Sequence, residues 1–298
     1  MQHKSLRLFL SVAETGSFVA AAERLNTVQS NVTAHIKKLE QELGTQLIDR
    51  NGRARLTSSG FTLARYARQI LRSHDEALAL FHGREPPRGQ LRLGAMETTM
   101  ALRLPSILAD FHAHHAEVDI QLQTGPTAEL VSDLLEGKLD AAFVAGPVEH
   151  ERLHGVKAFS ERLILVAAQP MERLPSTETL RSVPFLAFRQ GCSYRQRIEL
   201  LLASCGVSAG RVFEFGSLDA ILGCVAAGMG YALLPQATVD AHRHRFDIHS
   251  LALPTPLANV DTFLATLSSP TWSPALARFV EVLCQATGSP DSTDEISM

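Results

Sequence analysis

Residues 18–40, FVAAAERLNTVQSNVTAHIKKLE, decide the fold of the N-terminal part of the chain. Ser17 precedes this stretch as a helix cap, and Asn26 is a residue type that tolerates the left-handed conformation of a tight turn. A second helix-forming pattern runs from Val28 to Gln41 and ends at Gly44. Two short helices joined by a tight turn predict a helix-turn-helix.

The two faces of these helices differ in chemistry. Helical spacing predicts that the inward-facing residues are Val19, Ala22, Leu25, Val32, Ile36 and Leu39. The second helix presents a polar face whose candidate DNA-binding residues are Gln29, Ser30, Asn31, Thr33, His35, Lys37 and Lys38. Gln and Asn can pair with adenine in the major groove, and Lys neutralises phosphate. A preceding helix is predicted to begin with Ser5 as its cap and to end at Gly16.

A predicted hairpin follows the helix-turn-helix. Asn51-Gly52 lies between two short extended runs, and this dipeptide is a strong hairpin signal. Arg50, Arg53 and Arg55 cluster on the hairpin, which therefore resembles a basic wing suited to the DNA backbone or minor groove. A packing module with solvated arginines is the alternative, but the order of helix, turn, polar-faced helix and basic wing favours DNA binding.

Residues 18–40 resemble the signature of LysR-type transcriptional regulators, and so do Leu43-Gly44, Leu47, Arg50 and residues 56–60. Val28 departs from this pattern, because the family usually has Ser or Thr before Gln29 as a helix cap. We expect Thr27 to cap the helix from one position earlier, and we include it among the DNA-binding residues. The resemblance implies a DNA-binding transcription regulator.

One long helix is predicted from Ser59 to about His82. It carries a heptad-like stripe formed by Leu63, Ala67, Ile70, His74, Ala77 and Phe81. A second copy of the same helix is the simplest partner for such a stripe, although the stripe could instead pack on its own domain. LysR-type proteins dimerise through this helix, so the resemblance implies a homodimer or homotetramer.

Strands and helices alternate after the break at residues 84–89. Predicted strands are Gln90–Ala95, Val118–Gln123, Asp140–Val144, Leu163–Ala168, Phe185–Phe188, Val212–Phe215, Tyr231–Pro235 and Thr262–Ser268. Predicted helices are Thr99–His112, Ala128–Glu136, Tyr194–Ser204, Leu218–Ala227 and Pro274–Thr287. This pattern predicts parallel sheets covered by helices on both faces. Two such halves resemble the periplasmic-binding-protein fold that LysR-type regulators use as a sensor, and the fragments at residues 139–142 and 228–235 are similar to that domain.

The expected fold is therefore an α+β multidomain protein with a winged helix-turn-helix, a long linker helix and a two-lobed α/β effector domain. We predict that the DNA-binding domain spans residues 1–58, the linker 59–88, the effector domain 89–288 and a disordered tail 289–298. Lobe I is expected over about 89–161 and 266–288, and lobe II over about 162–265.

In doubly wound sheets, ligands bind at the carboxyl ends of strands beside helix N-termini. The loops at those ends supply the candidate effector-binding residues Glu97, Thr98, Thr99, Thr127, Gly146, Cys192, Ser193, Arg195 and Ser217. Hydroxyls at helix starts suit a small carboxylate or other anion, although they could equally be simple caps. Arg195 could pair with an anion or face solvent, and Glu97 could receive a cationic group.

The distribution of charge and the spacing of cysteine and histidine indicate which partners and cofactors to expect. Residues 1–88 carry 13 Lys and Arg against 8 Asp and Glu, whereas residues 89–298 carry 15 against 23, so a polyanion would meet the N-terminal part. The 4 cysteines have no paired metal-ligand spacing. The 12 histidines, with a run at His112, His114 and His115, suggest a metal site, but this run ends a predicted helix, where imidazoles suit the dipole. Neither a metal nor a cofactor is therefore expected.

No catalytic motif, export signal or transmembrane run is apparent, so we expect a cytoplasmic protein that is not an enzyme. A solute-binding protein with an appended helical module is the alternative, but it predicts an export signal and leaves residues 1–83 unexplained.

Overall fold

The computed structural model describes residues 1–50, 53–81, 87–189, 191, 193–208, 210–268 and 272–288. The chain forms two compact units, an N-terminal one built on Met1–Glu85 and a C-terminal one built on Pro86–Leu135 and Leu139–Met298. Five predictions lie outside the described residues or side chains. These concern the turn at Asn51-Gly52, the side chain of Phe81, the break at residues 84–86, Cys192 and the tail 289–298.

The N-terminal unit is a winged helix-turn-helix followed by a long helix. Its elements are α1 (His3–Thr15), α2 (Phe18–Arg24), α3 (Gln29–Leu43), β1 (Ile48–Asp49), β2 (Arg55–Leu56) and α4 (Ser58–Phe81). Local signals confirm the predicted boundaries. The hydroxyl of Ser17 accepts a hydrogen bond from the backbone N–H of Ala20 at 3.3 Å, and Asn26 has a φ of 49°. Gly16 and Gly44 end α1 and α3 in the left-handed conformation.

Two details of this unit differ from expectation. Ser5 does not cap α1, since the helix begins at His3 and Ser5 is buried within it. Val19 and Leu25 were predicted to face inward, but they are 49% and 38% exposed. The reason is that α2 has seven residues and buries only Ala21 and Ala22 against the core.

The stripe on α4 is divided between two environments. Leu63 and Ala67 are buried in the hydrophobic core that α1, α2 and α3 form, so they are not available as an outward seam. Ile70 is half-buried and packs against the same core, whereas Ala77 is exposed. His74 lies against His3 of α1 with ring centroids 4.1 Å apart. The first half of the stripe therefore packs on its own unit, which was the alternative left open above.

The C-terminal unit alternates strands and helices. Its strands are β3 (Gly89–Ala95), β4 (Val118–Thr124), β5 (Ala141–Ala145), β6 (Leu153–Ala167), β7 (Phe185–Phe188), β8 (Val212–Phe215), β9 (Ala232–Pro235), β10 (His249–Ala252) and β11 (Asn259–Leu267). Its helices are α5 (Glu97–Leu102), α6 (Leu104–His114), α7 (Thr127–Leu135), α8 (Thr177–Ser182), α9 (Ser193–Ser204), α10 (Leu218–Ala226), α11 (Gln236–His242), α12 (Thr255–Ala258) and α13 (Pro274–Thr287).

These strands form two lobes connected by shared strands. In lobe I, β4, β3 and β5 are parallel, and β11 is antiparallel to β5 and to the first part of β6. In lobe II, β9 and β10 flank the last part of β6, and the parallel pair β7 and β8 joins β9 through a bridge between Phe185 and Tyr231. In lobe I, α6 and α13 pack on one face of the sheet and α7 packs on the other.

The sequence prediction was wrong about the shared strands. Among the described strands, parallel ladders join β3 to its two neighbours and β7 to β8, whereas β6 and β11 cross between the lobes antiparallel to each other. The return to lobe I was expected near residue 266, but β11 already pairs with β5 from Thr262. The helix predicted over Thr99–His112 is two helices that meet at Arg103. The prediction also lacked α8, α11, β10, α12 and the first ten residues of β6.

Candidate DNA interface and ligand cleft

The outer face of α3 carries most of the predicted DNA-binding residues. Gln29, Ser30, Lys37 and Lys38 are exposed, whereas Val32, Ile36 and Leu39 are buried. The helix therefore presents amide, hydroxyl and ammonium groups while its opposite face packs in the core. A polar, basic face on a core-anchored helix has the chemistry required to contact base edges and phosphates.

Three other predicted residues of α3 make bonds within the unit. The Oγ of Ser5 lies 2.8 Å from Nδ1 of His35, which links α1 to α3. Asn31 donates from Nδ2 to the hydroxyl of Thr27 at 2.8 Å, and the hydroxyl of Thr33 donates to the backbone carbonyl of Gln29 at 3.0 Å. All four polar side chains (Thr27, Asn31, Thr33 and His35) are half-buried, so they position the helix as well as bordering its exposed face.

Val28 occupies the N-cap position of α3. Its side chain cannot cap the helix and is 63% exposed. Thr27, expected to cap from one position earlier, instead accepts the hydrogen bond of the Asn31 side chain. The first turn of α3 therefore lacks the hydroxyl cap that the family pattern would supply. The backbone N–H of Asn31 donates to the carbonyl of Val28 at 3.0 Å, whereas those of Gln29 and Ser30 have no acceptor among the described residues.

Glu40 of α3 fixes the base of the wing. Its Oε1 accepts from the backbone N–H groups of Leu47 at 3.0 Å and Ile48 at 3.3 Å, and its Oε2 accepts from Arg50 at 2.8 Å. The guanidinium of Arg50 also lies 5.4 Å from the ring centroid of Phe18. Arg50 is thus already neutralised by Glu40 and held in place by an aromatic ring.

The other two wing arginines are in different surroundings. The side chain of Arg53 occupies the space that a Cβ at Gly16 would need. Arg55 is exposed on β2, and its side chain makes no hydrogen bond or ion pair with another residue of the described chain. Of the three, Arg55 is the guanidinium most available to a phosphate.

A cleft of about 150 Å³ lies between the two lobes of the C-terminal unit. Its lining residues are Met96, Glu97, Thr98, Thr124, Gly125, Pro126, Glu129, Phe188, Arg189, Tyr194, Phe215 and Gly216. Lobe I supplies the loops that follow β3 and β4, and lobe II supplies the ends of β7 and β8 and the start of α9. The cleft therefore lies at the carboxyl ends of parallel strands, where the sequence predicts a ligand site.

A chain of polar groups crosses the cleft at its buried end. The hydroxyl of Thr98 lies 3.1 Å from that of Tyr194, and Tyr194 donates to Oε2 of Glu161 at 3.0 Å. The side chain of Glu161 is only 4% exposed, and its other oxygen lies 3.5 Å from Nε of Arg103. A buried carboxylate needs such partners to offset the loss of hydration. The resulting network joins lobe I, lobe II and the shared strand β6.

Glu97 makes a second link between the lobes. Its Oε1 accepts a hydrogen bond of 3.1 Å from the backbone N–H of Leu218, the first residue of α10. Ser217, the N-cap residue of α10, makes no capping hydrogen bond with its side chain. A carboxylate from lobe I therefore caps a helix of lobe II, where the helix dipole favours negative charge.

Of the predicted effector residues that the structure describes, Glu97 and Thr98 line the cleft. Thr99 is fully buried, and its hydroxyl has no hydrogen-bond partner among the described residues. The hydroxyl of Thr127 instead accepts from the backbone N–H of Ala145 at 3.3 Å. The backbone N–H of Gly146 donates to the carbonyl of Asp261 at 2.8 Å, so Gly146 joins β5 to β11.

Two predicted residues of α9 also lie apart from the cleft lining. Arg195 pairs with Glu214 of β8 and with Glu199 one turn further along α9, so its charge is compensated within lobe II. The hydroxyl of Ser193 is buried and has no hydrogen-bond partner within the described chain. Neither Ser193 nor Arg195 borders the cleft, whereas Tyr194 between them does.

Sequence reasoning missed several lining residues, above all Glu129, Arg189, Phe188 and Phe215. Arg189 directly follows β7, so the rule that selected the other strand-end loops could have selected it. Glu129 lies in the first turn of α7, where an acidic residue is also a routine helix-stabilising feature. The two phenylalanines close their strands and carry no signal that distinguishes them from core residues.

The described residues hold neither a metal-binding cluster nor a membrane-spanning helix. No group of three or more His, Cys, Asp or Glu side chains is arranged to hold a metal ion there. None of the helices described is long and apolar enough to cross a membrane.

Comparison with known proteins identifies both parts of the chain. Residues 3–61 match the family model of the bacterial regulatory helix-turn-helix protein, lysR family, and residues 84–287 match that of the LysR substrate binding domain. The chain belongs to the LysR family. This LysR-type regulator is 37% identical over 281 residues to the HTH-type transcriptional regulator GltR of Bacillus subtilis, covering 94% of this chain and 95% of GltR. It is 38% identical over 255 residues to YofA of the same organism, covering 85% and 88%.

Solved structures agree with the fold of this LysR-type regulator. A variant of full-length OxyR from Pseudomonas aeruginosa matches with a TM-score of 0.78 and 25% identity, covering 96% of this chain and 94% of OxyR. Full-length CbnR in complex with its target DNA matches with a TM-score of 0.63 and 27% identity, covering 96% and 100%. The chain is a transcription regulator with a helix-turn-helix and a ligand-binding domain, and the solute-binding alternative is not favoured.

Proposed function

We propose that this regulator reads operator DNA with the exposed face of α3 and the wing, and that a small molecule in the interlobe cleft controls its action on transcription. The observation that carries the proposal is that both lobes line one cleft. A ligand that contacts both lobes favours one relative placement of them, so occupancy and conformation are linked.

Several features support the DNA-binding part. Gln29 and Ser30 lie exposed at the N-terminal end of α3, where open backbone N–H groups favour phosphate. Lys37, Lys38 and Arg55 add exposed positive charge on the same unit. CbnR, which is similar over its whole length, has been solved with its target DNA. We assign base reading to Gln29 and backbone contact to the three cations.

Substitution of Gln29 tests the reading of bases. The specific DNA in this assay is a duplex that the purified protein selects from a random library. We expect Gln29→Ala to weaken binding to that duplex by about 1–3 kcal/mol while binding to random DNA is unchanged. Gln41→Ala is the matched control, because Gln41 is exposed near the far end of α3. Equal losses on both DNAs, or no loss on the selected duplex, would show that Gln29 reads no base.

The ligand-binding part is tested on the full-length protein. Thermal denaturation is measured with a set of small carboxylates, amines and sulfur compounds, and each hit is then tested for an effect on DNA binding. A Cβ atom added at Gly216 would have a guanidinium nitrogen of Arg189 as its nearest neighbour, 3.7 Å away, so this position has room for a larger side chain. We expect Gly216→Val to remove the thermal shift and leave DNA affinity intact. A shift that survives this variant places the ligand elsewhere.

We further propose that the protein acts in the cytoplasm as a homodimer or homotetramer and has no catalytic activity of its own. DNA operators lie in that compartment, and two recognition helices fit half-sites one or more helical turns apart. The α4 side chains Tyr66 and Leu78 are exposed to 51% and 46% and offer apolar surface to a second copy. Sedimentation equilibrium tests the assembly, and a monomer at concentrations that bind DNA would contradict it.

A further inference from the structure

The charges that line the cleft are of both signs. Among the described lining residues, Glu97 and Glu129 are acidic and belong to lobe I, and Arg189 is the one cation and belongs to lobe II. The remaining lining residues are apolar, aromatic or neutral. A ligand that fits this cleft therefore meets negative charge on one wall and positive charge on the other.

These three charged groups are not equally available. Glu97 is already bonded to the backbone N–H of Leu218. The side chains of Glu129 and Arg189, in contrast, make no hydrogen bond or ion pair with any residue of the described chain. Both residues are exposed to solvent. A carboxylate and a guanidinium on opposite walls, neither of them paired within the described chain, are the groups that a ligand can neutralise.

Two glycines locate these side chains at the cleft. The carboxylate of Glu129 lies 3.6 Å from the position of a Cβ at Gly125, in the loop after β4. A guanidinium nitrogen of Arg189 lies 3.7 Å from the position of a Cβ at Gly216, in the loop after β8. Both glycines line the cleft, so each charged group lies beside a stretch of wall that carries no side chain of its own.

We propose that the cleft binds a zwitterionic ligand of the amino-acid class, with its carboxylate on Arg189 and its ammonium on Glu129. This inference rests on the proposed function of the cleft and deepens it. The guanidinium offers a planar fork that matches a carboxylate, and the Glu129 carboxylate accepts from an ammonium. Phe188, Phe215 and Tyr194 supply apolar wall for the ligand side chain.

Size and charge balance both favour this class. A cavity near 150 Å³ holds a group of about benzene size, which suits one free amino acid rather than a peptide. A simple carboxylate would pair with Arg189 but leave Glu129 facing a like charge. A simple amine would pair with Glu129 but leave Arg189 without a counter-ion. Only a ligand with both groups neutralises both walls.

The experiment uses the full-length protein and the twenty standard L-amino acids as thermal-shift probes. For the amino acid with the largest shift, calorimetry then compares that compound with its deamino acid and its decarboxylated amine. We expect the amino acid to bind about tenfold or more tightly than either analogue. No shift with any of the twenty, or equal affinity of an analogue, overturns the proposal.

Two variants test which side chain binds the carboxylate of the ligand and which binds its ammonium group. We expect Arg189→Gln to weaken binding of the amino acid and of the deamino acid, but not binding of the amine. We expect Glu129→Gln to weaken binding of the amino acid and of the amine, but not binding of the deamino acid. Arg173→Gln and Glu172→Gln are matched controls, because both residues are exposed in lobe II outside the cleft lining. Uniform effects on all three compounds would contradict the assignment.

The failure of this inference can be distinguished from failure of the proposed function. If a carboxylate or an amine alone binds tightly and Gly216→Val abolishes its binding, the cleft is the effector site but its ligand is not zwitterionic. If the amino acid still binds Gly216→Val with unchanged affinity, the cleft is not the site and both statements fail. Gly125→Ala, whose added Cβ meets only contacts of 3.6 Å, provides a second and milder change of the cleft wall.

Discussion

Glu97 in lobe I accepts a hydrogen bond from the backbone N–H of Leu218 in lobe II, with 3.1 Å between Oε1 and the nitrogen. This single bond caps α10 from the other lobe, because Ser217 makes no capping bond of its own. It therefore ties the N-terminus of a lobe II helix to the loop that follows the first strand of lobe I.

We expect Glu97→Ala to lower the free energy of unfolding by about 1–2 kcal/mol, since the variant loses both an N-terminal cap and a favourable charge. Glu97→Gln keeps an acceptor oxygen and should lose less. Urea denaturation of the C-terminal unit measures both effects. Glu129→Ala is the control, because Glu129 also lies in the first turn of a helix but makes no bond across the cleft. Equal losses at Glu97 and Glu129 would mean that the interlobe bond contributes nothing.

Tyr194→Phe tests the buried polar chain. The substitution removes the hydroxyl that lies between Thr98 and Glu161, and it leaves a buried carboxylate with one partner fewer. We expect a loss of about 1–3 kcal/mol in the free energy of unfolding. Tyr231→Phe is the matched control, because the Tyr231 hydroxyl makes no hydrogen bond to a described residue. The outcome that contradicts the prediction is a similar stability for both variants.

Val28→Ser should stabilise the N-terminal unit. Serine at the N-cap position can accept from the open N–H groups of the first turn of α3, which valine cannot. A gain of about 1 kcal/mol is expected in the unfolding transition of that unit. Val19→Ser makes the same chemical change at an exposed position that is not a cap, and it should give little change. If both variants behave alike, the cap is not the cause.

Asp261 provides a prediction about pH. Hydrogen bonds from Lys157 at 2.9 Å and Ser160 at 2.8 Å hold the pKa of the Asp261 carboxyl below its usual value of 3.8. A lowered pKa in the folded state means that the carboxylate stabilises the fold above about pH 4. That contribution is lost as the pH falls through the folded pKa.

Thermal denaturation of Asp261→Asn between about pH 3 and pH 7 measures this contribution. The variant should melt below the wild type at neutral pH, and the difference should shrink as the solution becomes more acidic. Asp247→Asn is the control, because Asp247 is exposed and makes no ion pair with a described residue. A pH-independent difference at Asp261 would contradict the prediction.

Local signals made the N-terminal unit predictable from sequence. Ser17, Asn26 and Gly44 act on their immediate neighbours, so the cap, turn and helix end follow from residue type alone. The position of Val19 was not predictable in the same way, since helical spacing does not show which side of a short helix meets the core. Burial of Leu63 likewise depends on α1, which precedes it by about fifty residues.

The cleft was predictable only in its location. The rule that ligands bind at the carboxyl ends of parallel strands led to the correct loops and to Glu97 and Thr98. It could not show that Arg195 of α9 is neutralised by Glu214, because that partner lies on the strand β8. Nor could it separate Arg189, whose side chain has no partner among the described residues, from the other arginines. Sequence gives the charges, and only the fold shows which of them are already paired.

The order of elements along the chain has a consequence for synthesis on the ribosome. Helix α13 supplies Phe279, Val280 and Leu283 to the same core as Leu91 and Phe143 of lobe I. Lobe I therefore cannot close its core until the last helix has been translated, whereas every strand of lobe II has been made before it. At elongation rates of about 5–20 residues per second, the first strands of lobe I wait roughly 10–40 seconds with an apolar face uncovered. During that interval the nascent chain is a substrate for chaperones.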